Sequence, residues 1–186
     1  MFPDPIEHFP EPPEHRVFFA TRPDEFTGAR IARFTSRLAQ EQPLRGRPIG
    51  RNRLHATLGM VGVWPESPPA DAIDLARQIG DQIAMRPFKV TFKRLQSWRR
   101  SSGPLVLVGD DDEVIGLRWL HDALYETCGA PPEPHFYPHI SLIWSRDSVP
   151  EQAVDPFSWM VREFVLIRSV YGQGRHDVLG CWPLRE

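Results

Sequence analysis

The chain has 186 residues, of which 41% are hydrophobic and 25% charged, with 22 basic against 24 acidic side chains and a net charge of −2. That length suffices for one substantial core, and the near balance of charge excludes the general attraction by which a basic protein coats nucleic acid, so any anionic ligand must be met by local clustering. No run approaches the roughly 18 apolar residues that span a bilayer, and the two cysteines, Cys128 and Cys181, lack the paired spacing of a zinc or redox centre.

Residues 1–14 are rich in proline and acids and read as a loosely ordered lead-in, without the basic start and apolar run of a signal peptide. One folded domain is expected over 15–186, in a reduced cytoplasmic setting, with no membrane contact and no metal or other cofactor. Nothing sets the oligomeric state; a monomer is favoured. Arg16-Val17-Phe18-Phe19-Ala20 predicts a first strand. Asp24 then caps a helix in which Phe26, Ala29, Ile31, Ala32, Phe34 and Leu38 recur at helical spacing up to Pro43. A basic loop carrying Arg45, Arg47, Arg51 and Arg53 leads into a strand at 54–63. After a proline cluster, Ile73, Ala76, Ile79 and Ile83 mark one face of a helix over 70–85, closed by Pro87. Strands follow at 88–95 and 105–108, then a turn at Asp110-Asp111-Asp112 and a helix over 113–128 that stops at Gly129. A strand at 136–144, an irregular stretch, a strand at 160–170 and a last strand beyond Gly172-Gln173-Gly174 complete the order. Strands outnumber helices and connect mostly by turns, which predicts an α+β fold with mainly antiparallel pairing.

Two of these strands carry the same local pattern. Leu54-His55-Ala56-Thr57-Leu58 and Pro138-His139-Ile140-Ser141-Leu142 each place a hydroxyl two residues after a histidine, inside an apolar run. Alternation along a strand turns histidine and hydroxyl to one face and the apolar neighbours to the other. With seven histidines in the chain, about one such spacing is expected by chance. Two copies, both followed by leucine and separated by nearly half the chain, suggest related lobes facing one cleft. Such a cleft holds two groups that titrate near neutrality and two neutral donors, a set suited to phosphate-ester chemistry.

The repeated His-x-Thr/Ser-x segments resemble the paired motifs of the 2H phosphoesterases, and the nearest branch is the 2′-5′ RNA ligase group, also called RNA 2′,3′-cyclic phosphodiesterases. The strand at 16–20 is similar to that family's first strand, and Phe136-Tyr137-Pro138-His139 to its lead-in to the second motif. Leu166 to Val170, the glycine turn and Val178-Leu179-Gly180-Cys181-Trp182-Pro183-Leu184 are similar to its closing hairpin. The resemblance implies two pseudo-symmetric lobes of antiparallel sheet with flanking helices around a central cleft. It implies metal-independent hydrolysis of 2′,3′-cyclic phosphate RNA ends to 2′-phosphates, with reversible 2′-5′ ligation as a second activity, and RNA ends or small cyclic nucleotides as substrate. It also implies catalysis by His55 as acid and His139 as base, with Thr57 and Ser141 binding the phosphate oxygens.

The chain departs from the family pattern at two places. Trp144 stands where an arginine often follows the second motif, with Arg146 two residues on, and Pro134 and His135 stand where another often precedes it. Candidate substrate contacts are Arg53 in the basic loop, Trp98, Arg99 and Arg100 in a later loop, Phe136 and Tyr137 before the second motif, Arg146, and Tyr171 on the closing turn. Alternation allows only one of Phe136 and Tyr137 to face a ligand. The alternative function is a non-catalytic nucleotide or RNA-end binding module on the same fold. Neither a nucleophile-elbow serine nor a phosphate-cradling glycine loop is present.

Overall fold

A computed structural model describes residues 14–42, 44–98, 103–145 and 147–185. Strand β1, His15–Thr21, is followed by helix α1, Glu25–Glu41. The Asp24 carboxylate starts α1 by accepting the Thr27 N–H at 2.7 Å, satisfying a donor that no helical carbonyl can reach. A single 3₁₀ turn, Arg51–Arg53, precedes β2, Ala56–Trp64, and then come α2, Ala70–Asp81, β3, Phe88–Ser97, and β4, Gly103–Val108. Helix α3, Ile115–Thr127, leads to β5, His139–Ser145, β6, Gln152–Val161, β7, Glu163–Val170, and β8, His176–Pro183.

The strands form two four-stranded antiparallel sheets, in the orders β2-β1-β7-β8 and β5-β4-β3-β6. Each motif strand is an edge of its sheet, and the two edges, β2 and β5, contact one another. One buried cluster joins both sheets and all three helices, with Val17 and Phe19 from β1, Phe92 and Leu95 from β3, Leu107 from β4 and Ile31, Ala76 and Leu117 from the helices. The opposite face of the first sheet carries a second, smaller cluster of Phe18, Ala20, Val165 and Ile167. On the second sheet Val106 and Val108 are buried outside the main cluster, opposite Ser141 and His139 in the ladder.

Two expectations are corrected. Helix α2 ends at Asp81 rather than near 85: the N–H groups of Gln82 and Ile83 turn to carbonyls three residues back, and Pro87 disfavours helix in the residue before it. The stretch after β5, read as irregular, contains β6. Its Asp155-Pro156 pair looks like a breaker in sequence, but β6 is an edge strand and the ladder skips these residues, running from Phe92↔Phe157 to Arg94↔Ala153. A bulge on an edge tolerates the missing proline donor.

Both motif strands are bulged at the leucine after the hydroxyl residue. In β2 the ladder to β1 passes from Thr57 to Gly59 and omits Leu58; in β5 the ladder to β4 passes from Ser141 to Ile143 and omits Leu142. The Leu58 carbonyl accepts from Nδ1 of buried His121 in α3, and the Leu142 carbonyl accepts the N–H of Ile49, 2.7 Å away in the loop before β2. Pro48 also bridges to Ile143, and Arg45 pairs with Asp147 at 2.9 Å. Each bulge is therefore tied to the segment that leads toward the other motif.

Candidate active site

His55 immediately precedes β2 and His139 is the first residue of β5. Leu54, Ala56 and Leu58 are buried, as are Pro138, Ile140 and Leu142, while His55, Thr57, His139 and Ser141 are half-buried on the alternate face. The expected alternation thus holds up to each bulge. The two imidazoles are held in the same way. His55 Nδ1 lies 2.7 Å from the Arg53 carbonyl and His139 Nδ1 lies 2.9 Å from the Tyr137 carbonyl, each two residues upstream. A carbonyl only accepts, so each Nδ1 carries a hydrogen and each neutral ring keeps its lone pair on Nε2. Among the described residues neither the Thr57 nor the Ser141 hydroxyl is engaged by another side chain or by backbone.

Burial pushes both imidazoles below the ordinary histidine range, opposed in part by these backbone bonds. His55 is lowered further by the positive charges of His139 and Arg53, so the two motif histidines share one electrostatic site. Aromatic rings back both: Phe18 stacks on His55 with centroids 5.0 Å apart, and Trp98 lies 3.9 Å from His139.

A third histidine adjoins the first. The His176 ring, at the start of β8, meets His55 edge-on at 5.1 Å and Phe18 at 5.8 Å. Burial holds it down at about 4, with the charges of His55, Arg53 and Arg22 acting in the same direction. Sequence reasoning missed this residue because it sits in no motif. Only the strand order, with β7 and β8 completing the sheet of β1 and β2, reveals the neighbourhood.

The family model of the 2′-5′ RNA ligase superfamily matches residues 12–173. The chain belongs to this superfamily. Among solved structures, this 2′-5′ RNA ligase superfamily member is similar to LigT of E. coli in its phosphate complex, with 25% identity, 94% of this chain and 99% of that chain covered, and a TM-score of 0.73. The LigT complex with 3′-AMP gives 26% identity, coverage of 95% and 100%, and a TM-score of 0.72. A protein of Thermus thermophilus, at 21% identity with 91% and 98% covered and a TM-score of 0.71, shares the fold. No curated protein matches significantly.

The remaining candidates of the superfamily member divide clearly. Arg53 is half-buried beside His55 and His176 and has no acidic partner among the described residues; its Nε is buried without a hydrogen bond. Trp98 is brought to His139, and exposed Tyr137 lies 6.1 Å from Trp98. Phe136 is not available to a ligand: it stacks on His121 at 3.9 Å and packs against the core. Arg45 is engaged by Asp147, whose carboxyl it holds at about 2, and Arg51 by Glu25. Tyr171 is exposed on the β7–β8 turn, with no ring contact to either motif histidine among the described residues. Arg99, Arg100 and Arg146 lie outside the described residues. Among the described residues no group of three or more His, Cys, Asp or Glu is arranged to hold a metal ion, and no helix is long and apolar enough to cross a membrane.

Proposed function

We propose that this protein opens 2′,3′-cyclic phosphates at RNA ends, leaving 2′-phosphates, with His55 and His139 as its acid–base pair. The observation that carries the reading is the matched pair of Nδ1–carbonyl bonds, which leave Nε2 of each ring free to exchange a proton, on two histidines close enough for the charge of His139 to act on His55. Membership of the 2′-5′ RNA ligase superfamily supports it, as does likeness to LigT, which binds phosphate and 3′-AMP.

Opening the ring requires water to attack phosphorus in line with the departing 3′ oxygen. One neutral imidazole takes the proton from water, and a protonated one on the far side supplies a proton to the 3′ oxygen as the P–O3′ bond breaks. The Thr57 and Ser141 hydroxyls donate to the non-bridging oxygens, where charge grows in the transition state. With the 5′-hydroxyl of a second RNA end in place of water, the same groups join ends through a 2′-5′ bond, and the roles of the two histidines swap when that bond is cut again. Following the resemblance, His55 is the acid and His139 the base. The free site opposes a charged His55 through burial, His139 and Arg53, so the negative phosphate must restore that proton on binding.

The test is turnover, with chelator present, of a short RNA ending in a 2′,3′-cyclic phosphate. His55→Ala and His139→Ala are each expected to lose about a hundredfold to ten-thousandfold in rate. A cyclic substrate with sulfur at the 3′ leaving position needs no acid, so it is expected to rescue the His55 variant and not the His139 variant. RNA bound but left intact by the wild type overturns the reading in favour of a binding module.

A further inference from the structure

The cluster of Arg53, His55 and His176 contains two groups, Arg53 and His176, to which the ring-opening step gives no role. Three observations describe it. Arg53 Nε and His176 Nδ1 are both buried polar atoms without a hydrogen-bond partner. The positive charges of Arg53, Arg22 and His55 all act on His176, and the one carboxylate that acts on it, Asp177, is already shared between Arg168 and Arg175. The Arg53 guanidinium lies over Gly174, 3.9 Å from where a β-carbon would stand, on a residue whose φ of +66° suits glycine. With His55 and His176 held neutral by burial, the Arg53 guanidinium is the fixed charge here, and its buried Nε–H lacks an acceptor beside a ring nitrogen that also lacks a partner, a cost that an anion relieves.

On the cyclic-phosphate reading the reacting group is shared by His55 and His139, whereas His176, on β8, meets the His55 ring edge-on at 5.1 Å and has no ring contact with His139 among the described residues. Phe18, with both His55 and His176 on its ring, forms the apolar floor between the two positions. His176 also lies beyond residue 173, where the family match ends.

We propose that Arg53 and His176 form a second anion subsite beside His55, which takes the phosphodiester on the 5′ side of the terminal nucleotide, so that the preferred substrate is an oligonucleotide end rather than a mononucleotide. The proposal rests on the cyclic-phosphate reading of His55 and His139, and the experiment separates the two. Two dinucleotides ending in a 2′,3′-cyclic phosphate are compared, one with an ordinary phosphodiester linkage and one with a neutral methylphosphonate linkage. The wild type is expected to favour the charged linkage by about tenfold in kcat/KM, the scale of one hydrogen bond to a charged group. Arg53→Gln and His176→Gln are each expected to reduce that preference to about threefold or less. A purely structural role would slow both substrates alike and leave the preference unchanged. A wild-type ratio near one, or variants that keep the wild-type ratio, would overturn the subsite. Should the wild type open neither dinucleotide, the cyclic-phosphate reading fails, and the subsite is then read by calorimetric affinity for the two 3′-phosphorylated dinucleotides with the same linkages. Equal affinities there overturn it.

Discussion

Replacing His121 with phenylalanine isolates the tie between the first motif strand and the segment that leads into the second. In the native protein Nδ1 of His121 donates to the Leu58 carbonyl, which the bulge leaves outside the ladder, and Nε2 accepts the Glu133 N–H at 3.2 Å. Phenylalanine keeps the stack on Phe136 and the contact with Tyr125, 4.5 Å between centroids, but leaves both backbone groups without partners. A buried carbonyl stripped of its donor costs about 1–3 kcal/mol, and the Glu133 N–H, which water reaches more easily, adds about 1 kcal/mol. A loss of about 2–4 kcal/mol corresponds to a fall of about 4–16 °C in Tm for a domain of this size. Urea titration checks the stability, with an unchanged m-value showing that the native state stays compact. The variant is also expected to lose about tenfold or more in kcat under conditions where it is fully folded, because Thr57 and the approach to His139 both lean on this ring. Destabilisation below about 1 kcal/mol together with kcat within twofold of wild type would refute the reasoning.

Three further outcomes are expected. Burial lowers both His55 and His139, so the base limb and the acid limb of the kcat/KM profile for cyclic-phosphate opening should both lie below the ordinary histidine value; limbs above it contradict the assignment. Since the folded state disfavours protonated His176, held at about 4 against an unfolded value of 6.5, stability should fall as pH drops from about 6.5 toward 4. Calorimetric Tm across that range in wild type and His176→Phe, which should show the smaller fall, tests it. Gly46→Ala would bring a β-carbon against the Trp144 carbonyl oxygen and lift the loop that satisfies Leu142; a loss of about 1–3 kcal/mol is expected from the forced backbone shift, read by thermal melting, with reduced cyclic-phosphate turnover alongside.

The sequence disclosed what depends on neighbours along the chain. Alternation around His55 and His139, the Asp24 cap and the glycine stop after α3 are local signals, and the structure has each where it was expected. What was missed depends on partners in space. Phe136 was free on paper to stack a base, yet His121, fifteen residues upstream and silent in any motif, takes its face. His176 gained its significance from the order of strands, and β6 was hidden because an edge position excuses Asp155-Pro156. The bulges at Leu58 and Leu142 follow from register, which neither strand encodes by itself.

The reciprocal ties at Leu58 and Leu142 bear on how substrate is met. Two histidines on separate sheets would ordinarily have to be collected from a range of separations each time a ligand arrives, and that lost conformational entropy would subtract from affinity. Here the carbonyls one residue beyond Thr57 and Ser141 are tied down, that of Leu58 by the His121 ring and that of Leu142 by the Ile49 N–H. On the proposed cyclic-phosphate reading, the ordering is completed when the chain folds, so that binding energy from an incoming phosphate would remain available for the in-line geometry of bond cleavage.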